Sequence, residues 1–192
     1  MNRLLGDINT RIPSLQPFTK KIKYDPAKFN PSPKDPRKRN WRGYVTGWPI
    51  HGEPPLKCWI SDRAFSNTNV LNRTVRHEIW HLIQRHHPAI YGPSGSLREF
   101  DAHLRDLENR HGFRLNPAEK FLSLKEMEKN WRATQTEPHW KKNLKSFQRS
   151  NFQKRYNTVL KQTCNELKDT EFRTHKDYSR ICGPVVNTFP YM

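Results

Sequence analysis

Between residues 70 and 86 one pattern constrains the chain more than any other. Val70, Leu71, Val75, Ile79, Trp80, Leu82 and Ile83 recur at helical spacing, and Pro88 ends the run. Ser66-Asn67-Thr68-Asn69, just ahead, offers several side chains able to cap a helix start. The pattern predicts an amphipathic helix through His86. Upstream, Trp41–Ile50 and Leu56–Phe65 are rich in aromatic and β-branched residues and are separated by Gly52 and Pro54-Pro55. They read as two strands joined by a turn.

More helices are expected downstream. One runs from Leu97 to Arg110, with Gly112 as its stop, after a loop at 89–96. Another opens at Pro117 and continues to about Asn130, and a further one covers Lys142 to Lys168. The tail from Phe172 reads as irregular. The fold class expected is α+β: a small antiparallel sheet, a strong helix, a following helix and a basic helical C-terminal region.

The predicted helix carries His77-Glu78-Ile79-Trp80-His81. Four residues make just over one turn, so the two imidazoles project from one face. They can fill two corners of a tetrahedral zinc site. Glu78, beside the first of them, can take a proton from water that the metal has acidified. That division of labour gives the H-E-x-x-H pattern its chemistry.

Thr74-Val75-Arg76-His77-Glu78-Ile79-Trp80-His81-Leu82-Ile83-Gln84 resembles the active-site helix of the zincin metallopeptidases. The resemblance implies an antiparallel sheet whose edge strand binds an extended peptide, and a third metal ligand on a later helix. Glu99-Phe100-Asp101-Ala102 is similar to the E-x-x-A pattern of the gluzincin branch, which implies that Glu99 is that ligand and Ala102 the small residue of helix contact. Where that branch often has Asp or Asn to orient a ligand histidine, this chain has His103. SprT-like and Spartan proteases use a third histidine, for which His103 or His111 stands as the alternative. Asp101 is a further alternative but, two residues on, it points about 160° away from Glu99 on a helix. The methionine-turn branch is disfavoured, because His86-His87-Pro88 follows the motif. What the resemblance implies is a zinc-dependent metallopeptidase, an endopeptidase rather than an exopeptidase, with Zn2+ as cofactor and a peptide or protein as substrate.

Charge enters as a second theme. The formal net charge is +17, and it is uneven. Residues 1–40 carry ten Lys or Arg against three acids, 117–192 fifteen against eight, and 41–116 ten against seven. The chain therefore divides into a Pro-rich basic arm (1–40), a metal-binding core (41–116) and a basic extension (117–192). The arm, with six prolines, reads as extended. Basic flanks make nucleic acid the expected partner, and a nucleic-acid-associated protein with a structural zinc site is the alternative function.

Smaller features complete the reading. Tyr91, between the two metal helices, is a candidate donor to a developing oxyanion. His86 and His87 favour the helix C-terminus when protonated. Trp48 or Trp59 is a candidate lining of the substrate cleft. Trp131, Trp140, Phe147, Phe152 and Tyr156 alternate with cations, as the inward side of an amphipathic helix does, and as stacking platforms that hold single strands also do. No run reaches membrane-span length. Cys58, Cys164 and Cys182, odd in number and without metal-ligand spacing, are expected as reduced thiols of a cytoplasmic, intracellular protein.

Overall fold

The computed structural model describes residues 1–29, 42–46, 56–108 and 115–186. It is α+β, mostly helical with one three-stranded sheet. The chain forms two compact units, Met1–Pro88 and Ala89–Met192, so the division lies inside the segment that the sequence reads as a single core.

In the first unit the N-terminal residues do not form an extended arm. Helices α1 (Asn2–Arg11) and α2 (Gln16–Thr19) lead into strand β1 (Ile22–Tyr24). Prolines sit where helices tolerate them, Pro17 at the start of α2 and Pro13 opening a 3-10 turn, where no backbone donor is lost. Ile8 and Ile22 are buried. Strands β2 (Gly43–Thr46) and β3 (Lys57–Ile60) pair antiparallel as the sequence indicates. β1 adds to β3 in parallel, which makes the sheet mixed, in the order β1-β3-β2. The rows Ile22–Cys58–Val45 and Tyr24–Ile60–Gly43 share one face, and Cys58 and Ile60 on it are fully buried.

Helix α3 (Thr68–Arg85) packs against β2 and β3. Asn67 caps it, its side-chain oxygen accepting from the Val70 amide at 2.9 Å. Val70, Leu71, Val75, Ile79 and Leu82 form its buried apolar stripe. Thr74, Glu78, His81 and Gln84 are also buried, an unusual polar load for a core-facing helix.

The second unit follows the short helix α4 (Pro88–Tyr91) and is a helical bundle: α5 (Gly95–Glu108), α6 (Pro117–Thr136), α7 (Ser146–Leu167) and α8 (Lys176–Val186). A capping box on Asn116 and Glu119 starts α6, with Pro117 at the first helical position. The core is contiguous and aromatic. Phe100 lies 4.6 Å from Trp131, which stacks on Tyr156 at 4.9 Å between ring centroids. Of the alternating aromatics, Trp131, Phe152 and Tyr156 are buried, Trp140 packs against the core, and Phe147 is 68% exposed.

Two expectations are corrected here. The tail is not irregular: α8 buries Tyr178, Ile181 and Cys182. Nor are the thiols all reduced: Cys164 on α7 and Cys182 on α8 form a disulfide, and Cys58 alone is free. The sequence hid this pair because it staples two helices whose packing is not local. No described helix is long and apolar enough to cross a membrane.

Candidate metal centre

On α3 the Nε2 atoms of His77 and His81 lie 3.1 Å apart, with the rings edge to face. Two nitrogens each about 2.0–2.1 Å from one tetrahedral zinc are separated by about 3.3 Å, so the pair has the spacing of two ligands. The proton arrangement agrees. The Gln84 side-chain oxygen lies 2.8 Å from His81 Nδ1, and an amide oxygen only accepts. Nδ1 therefore carries the proton of neutral His81, and the Nε2 lone pair faces His77. Two imidazole nitrogens set against each other in this way share a proton or a cation. Gln84, 1% exposed and three residues after His81, is a candidate positioning residue that was not singled out from sequence. Its signal was an amide placed among apolar residues one turn from a ligand.

Glu78 is buried under β2. A Cβ added to Gly43 would stand 2.7 Å from both Glu78 Cγ and Oε1, so glycine alone lets the strand approach the carboxylate this closely. Gly43 too was unmarked in the sequence. Among the described strands β2 and β1 are the edges. Trp59 lies on the central strand β3, its ring under the Lys28 ammonium and its Nε1 donating to Thr46 Oγ1 at 3.4 Å, so it is not an edge-strand residue. Trp48 lies outside the described residues.

Burial pushes the Cys58 thiol well above its ordinary value, and the charge of Glu78 adds to the shift. Cys58 is thereby held as a neutral thiol, neither nucleophile nor ligand.

Glu99 lies on α5, together with His103 and Asp106 at its i+4 and i+7 positions, so the three share one face. Glu99 is half-buried; His103 and Asp106 are buried, with His103 Nδ1 3.7 Å from Asp106 Oδ2. His77, His81, Glu99, His103 and Asp106 are the metal-ligand candidates among the described residues. Asp106 was not singled out from sequence, although its spacing from His103 was there to be read. His111 lies outside the described residues.

Asp101 and Tyr91 have other work. The Tyr91 hydroxyl donates to Asp101 Oδ2 at 2.6 Å, and Arg155 Nη1 donates to Asp101 Oδ1 at 2.9 Å. The same guanidinium grips Glu108 with Nε and Nη2, at 2.7 and 3.1 Å. Burial, followed by the Asp101 charge, raises the Tyr91 hydroxyl far above the normal range. Tyr91 is 6% exposed, so the oxyanion role read from sequence gives way to a structural one: it anchors α5.

The entry to α5 is pinned as well. Ser94 caps it, accepting from the Leu97 amide at 3.0 Å and donating to Glu137. Arg98 Nη1 donates to the Gly92 carbonyl at 2.7 Å. Gly92 has φ +44°, and a Cβ there would meet the His139 ring at 2.6 Å. His139 itself lies 2.8 Å from the Ile90 carbonyl oxygen.

Comparison of the chain with protein-family models, with characterised proteins and with solved structures gives no match in any of the three. The site therefore has to be read from its own chemistry. His86 illustrates this. It packs edge-on against Phe18 at 5.6 Å, and burial, then the Lys21 charge, lowers its basicity. A protonated helix-end histidine is thus disfavoured at that position.

Proposed function

We propose that the chain is a zinc-dependent metallopeptidase of the zincin kind, with His77 and His81 on α3 and Glu99 on α5 as ligands and Glu78 as general base. The observation that carries the reading is the His77–His81 pair, with Nε2 atoms 3.1 Å apart and the Gln84 side-chain oxygen 2.8 Å from His81 Nδ1. His77 with His103 and Asp106 is the competing ligand set. The Glu99 set fits the H-E-x-x-H and E-x-x-A patterns together, and it leaves Glu78 outside the ligands.

When bound, zinc supplies Lewis-acid polarisation of a water and of the scissile carbonyl. Glu78 accepts the proton of the attacking water and returns it to the departing amine. Burial against Gly43 restricts the Glu78 side chain to a narrow range of positions, which keeps the base aimed. β2, an edge strand beside the metal helix, can pair with an extended substrate backbone. That mode of recognition favours internal bonds, and hence an endopeptidase acting on a peptide or unfolded protein.

The test is Glu78→Gln beside wild type on a broad peptide library. The account expects wild type to cleave internal bonds. The amide variant should keep its metal and lose about 10²- to 10⁴-fold in rate, because it cannot accept a proton. Loss of metal in Glu78→Gln to the extent seen in His77→Ala would make Glu78 a ligand instead. Wild type that cleaves nothing in the library would remove the peptidase reading.

A further inference from the structure

A polar surface of the second unit has no part in the metal chemistry. On α7, Phe147, Asn151, Lys154, Thr158, Lys161 and Asn165 follow one another at steps of four, three, four, three and four residues. At 100° per residue they form a stripe about 80° wide and about 27 Å long. All six are exposed. Beside the stripe run two adjoining hollows of about 510 and 540 Å3, which share Thr158 and Gln162. Arg105 and Glu108 of α5 also line the first.

The charge is one-sided. Residues 141–168 carry eight Lys or Arg and a single acid, Glu166. Lys120 of α6 already holds Glu166 at 2.5 Å, and Arg155 holds Glu108 through two hydrogen bonds. The acids at the groove are thus neutralised by partners, while Lys154 lines it from an exposed position.

At the head of the stripe stands Phe147, 68% exposed and the most exposed large apolar side chain among the described residues. Every other aromatic of this segment faces the core, so packing does not explain Phe147. One isolated ring is too little to enter a bilayer, and an acidic peptide gives it nothing to stack on. An unpaired base does, followed by phosphates along the cations and by sugar or base edges against Asn151, Thr158 and Asn165.

We infer that this face of α7 binds single-stranded nucleic acid, with a base stacked on Phe147 and the phosphate backbone running along Lys154 and Lys161. The site is independent of the metal centre, and it narrows the partner expected of the basic flanks to one helix face.

The experiment uses the full chain and labelled 20-nucleotide oligo(dT) and oligo(rU), read by fluorescence anisotropy over a range of salt. Wild type should bind at low salt with an affinity that falls as salt rises. Lys154→Gln with Lys161→Gln should flatten the slope of log affinity against log salt by about 1.4, two phosphate contacts at about 0.7 each. Phe147→Ala should weaken binding roughly five-fold or more with the slope unchanged. Lys20→Gln with Lys23→Gln, an equal charge loss at exposed positions of the first unit, should leave the slope as it is in wild type. No binding at low salt would overturn the inference. So would equal slopes for the two double variants, or competition by duplex DNA, polyglutamate or anionic vesicles as strong as by unlabelled strand.

Discussion

Residues up to Pro88 and residues from Ala89 on both bury polar side chains, but they set them in different apolar surroundings. The first unit places Thr74, Glu78, His81 and Gln84 in its interior beside a three-stranded sheet. The second buries a continuous aromatic cluster around Phe100, Trp131, Phe152 and Tyr156, and a disulfide closes it. Burying polar groups costs free energy unless each is matched by a partner; burying aromatics is strongly favourable, although a tyrosine still needs a partner for its hydroxyl, as Tyr156 has in Glu128. The difference separates the unit that bears the candidate ligand pair from the unit built around an aromatic cluster. α3 carries buried polar groups that packing alone would not select, and the bundle packs α5 against α6 and α7.

The sharpest way to break this comparison is to open the staple. Cys164 and Cys182 are 18 residues apart, and a loop of that size stabilises by about 3 kcal/mol. Cys164→Ser with Cys182→Ser should lower the urea midpoint accordingly and leave zinc content unchanged. A loss of metal together with stability would show that the two roles are not divided as described.

Next in size is Gln84→Leu. Removing a group that orients a ligand histidine costs roughly 10- to 100-fold in metal affinity. Chelator competition should detect that loss, while the metal-free protein unfolds at nearly the same urea concentration. Unchanged affinity would reduce Gln84 to a packing residue.

Gly43→Ala is the smallest perturbation. The new methyl group crowds Glu78, whose side chain can give a little, so the cost to stability should be about 1 kcal/mol. Zinc should stay and hydrolysis should slow. Full activity in this variant would separate β2 from the positioning of the base.

How much of this was legible beforehand differs between the same two regions. Helix α3 was readable almost to the residue, because its apolar period, its Asn67 cap and Pro88 all act locally. The strands β2 and β3 showed in their β-branched and aromatic content. β1 did not, because a three-residue strand among prolines takes its order from pairing with β3. In the second unit α6 and α7 followed from composition and from Pro117, which opens α6. α8 and the disulfide did not, since both depend on contacts between distant segments. Of the candidate site, His77, Glu78, His81 and Glu99 were named from spacing and resemblance. Gln84 and Gly43 were harder to single out for a physical reason: one acts through a hydrogen bond to a candidate ligand, the other by lacking a side chain. Tyr91 was misjudged because sequence shows a hydroxyl in a loop but not the Asp101 that occupies it.

The central claim is that the face of α3 bearing His77 and His81 holds a metal ion. Its most direct test is elemental analysis of wild type and His77→Ala, purified in parallel from zinc-replete medium. The account predicts about one zinc per chain in wild type and a near-total loss in the variant, with both proteins folded by circular dichroism. Wild type without zinc, or a His77→Ala variant that retains it in full, would contradict the account.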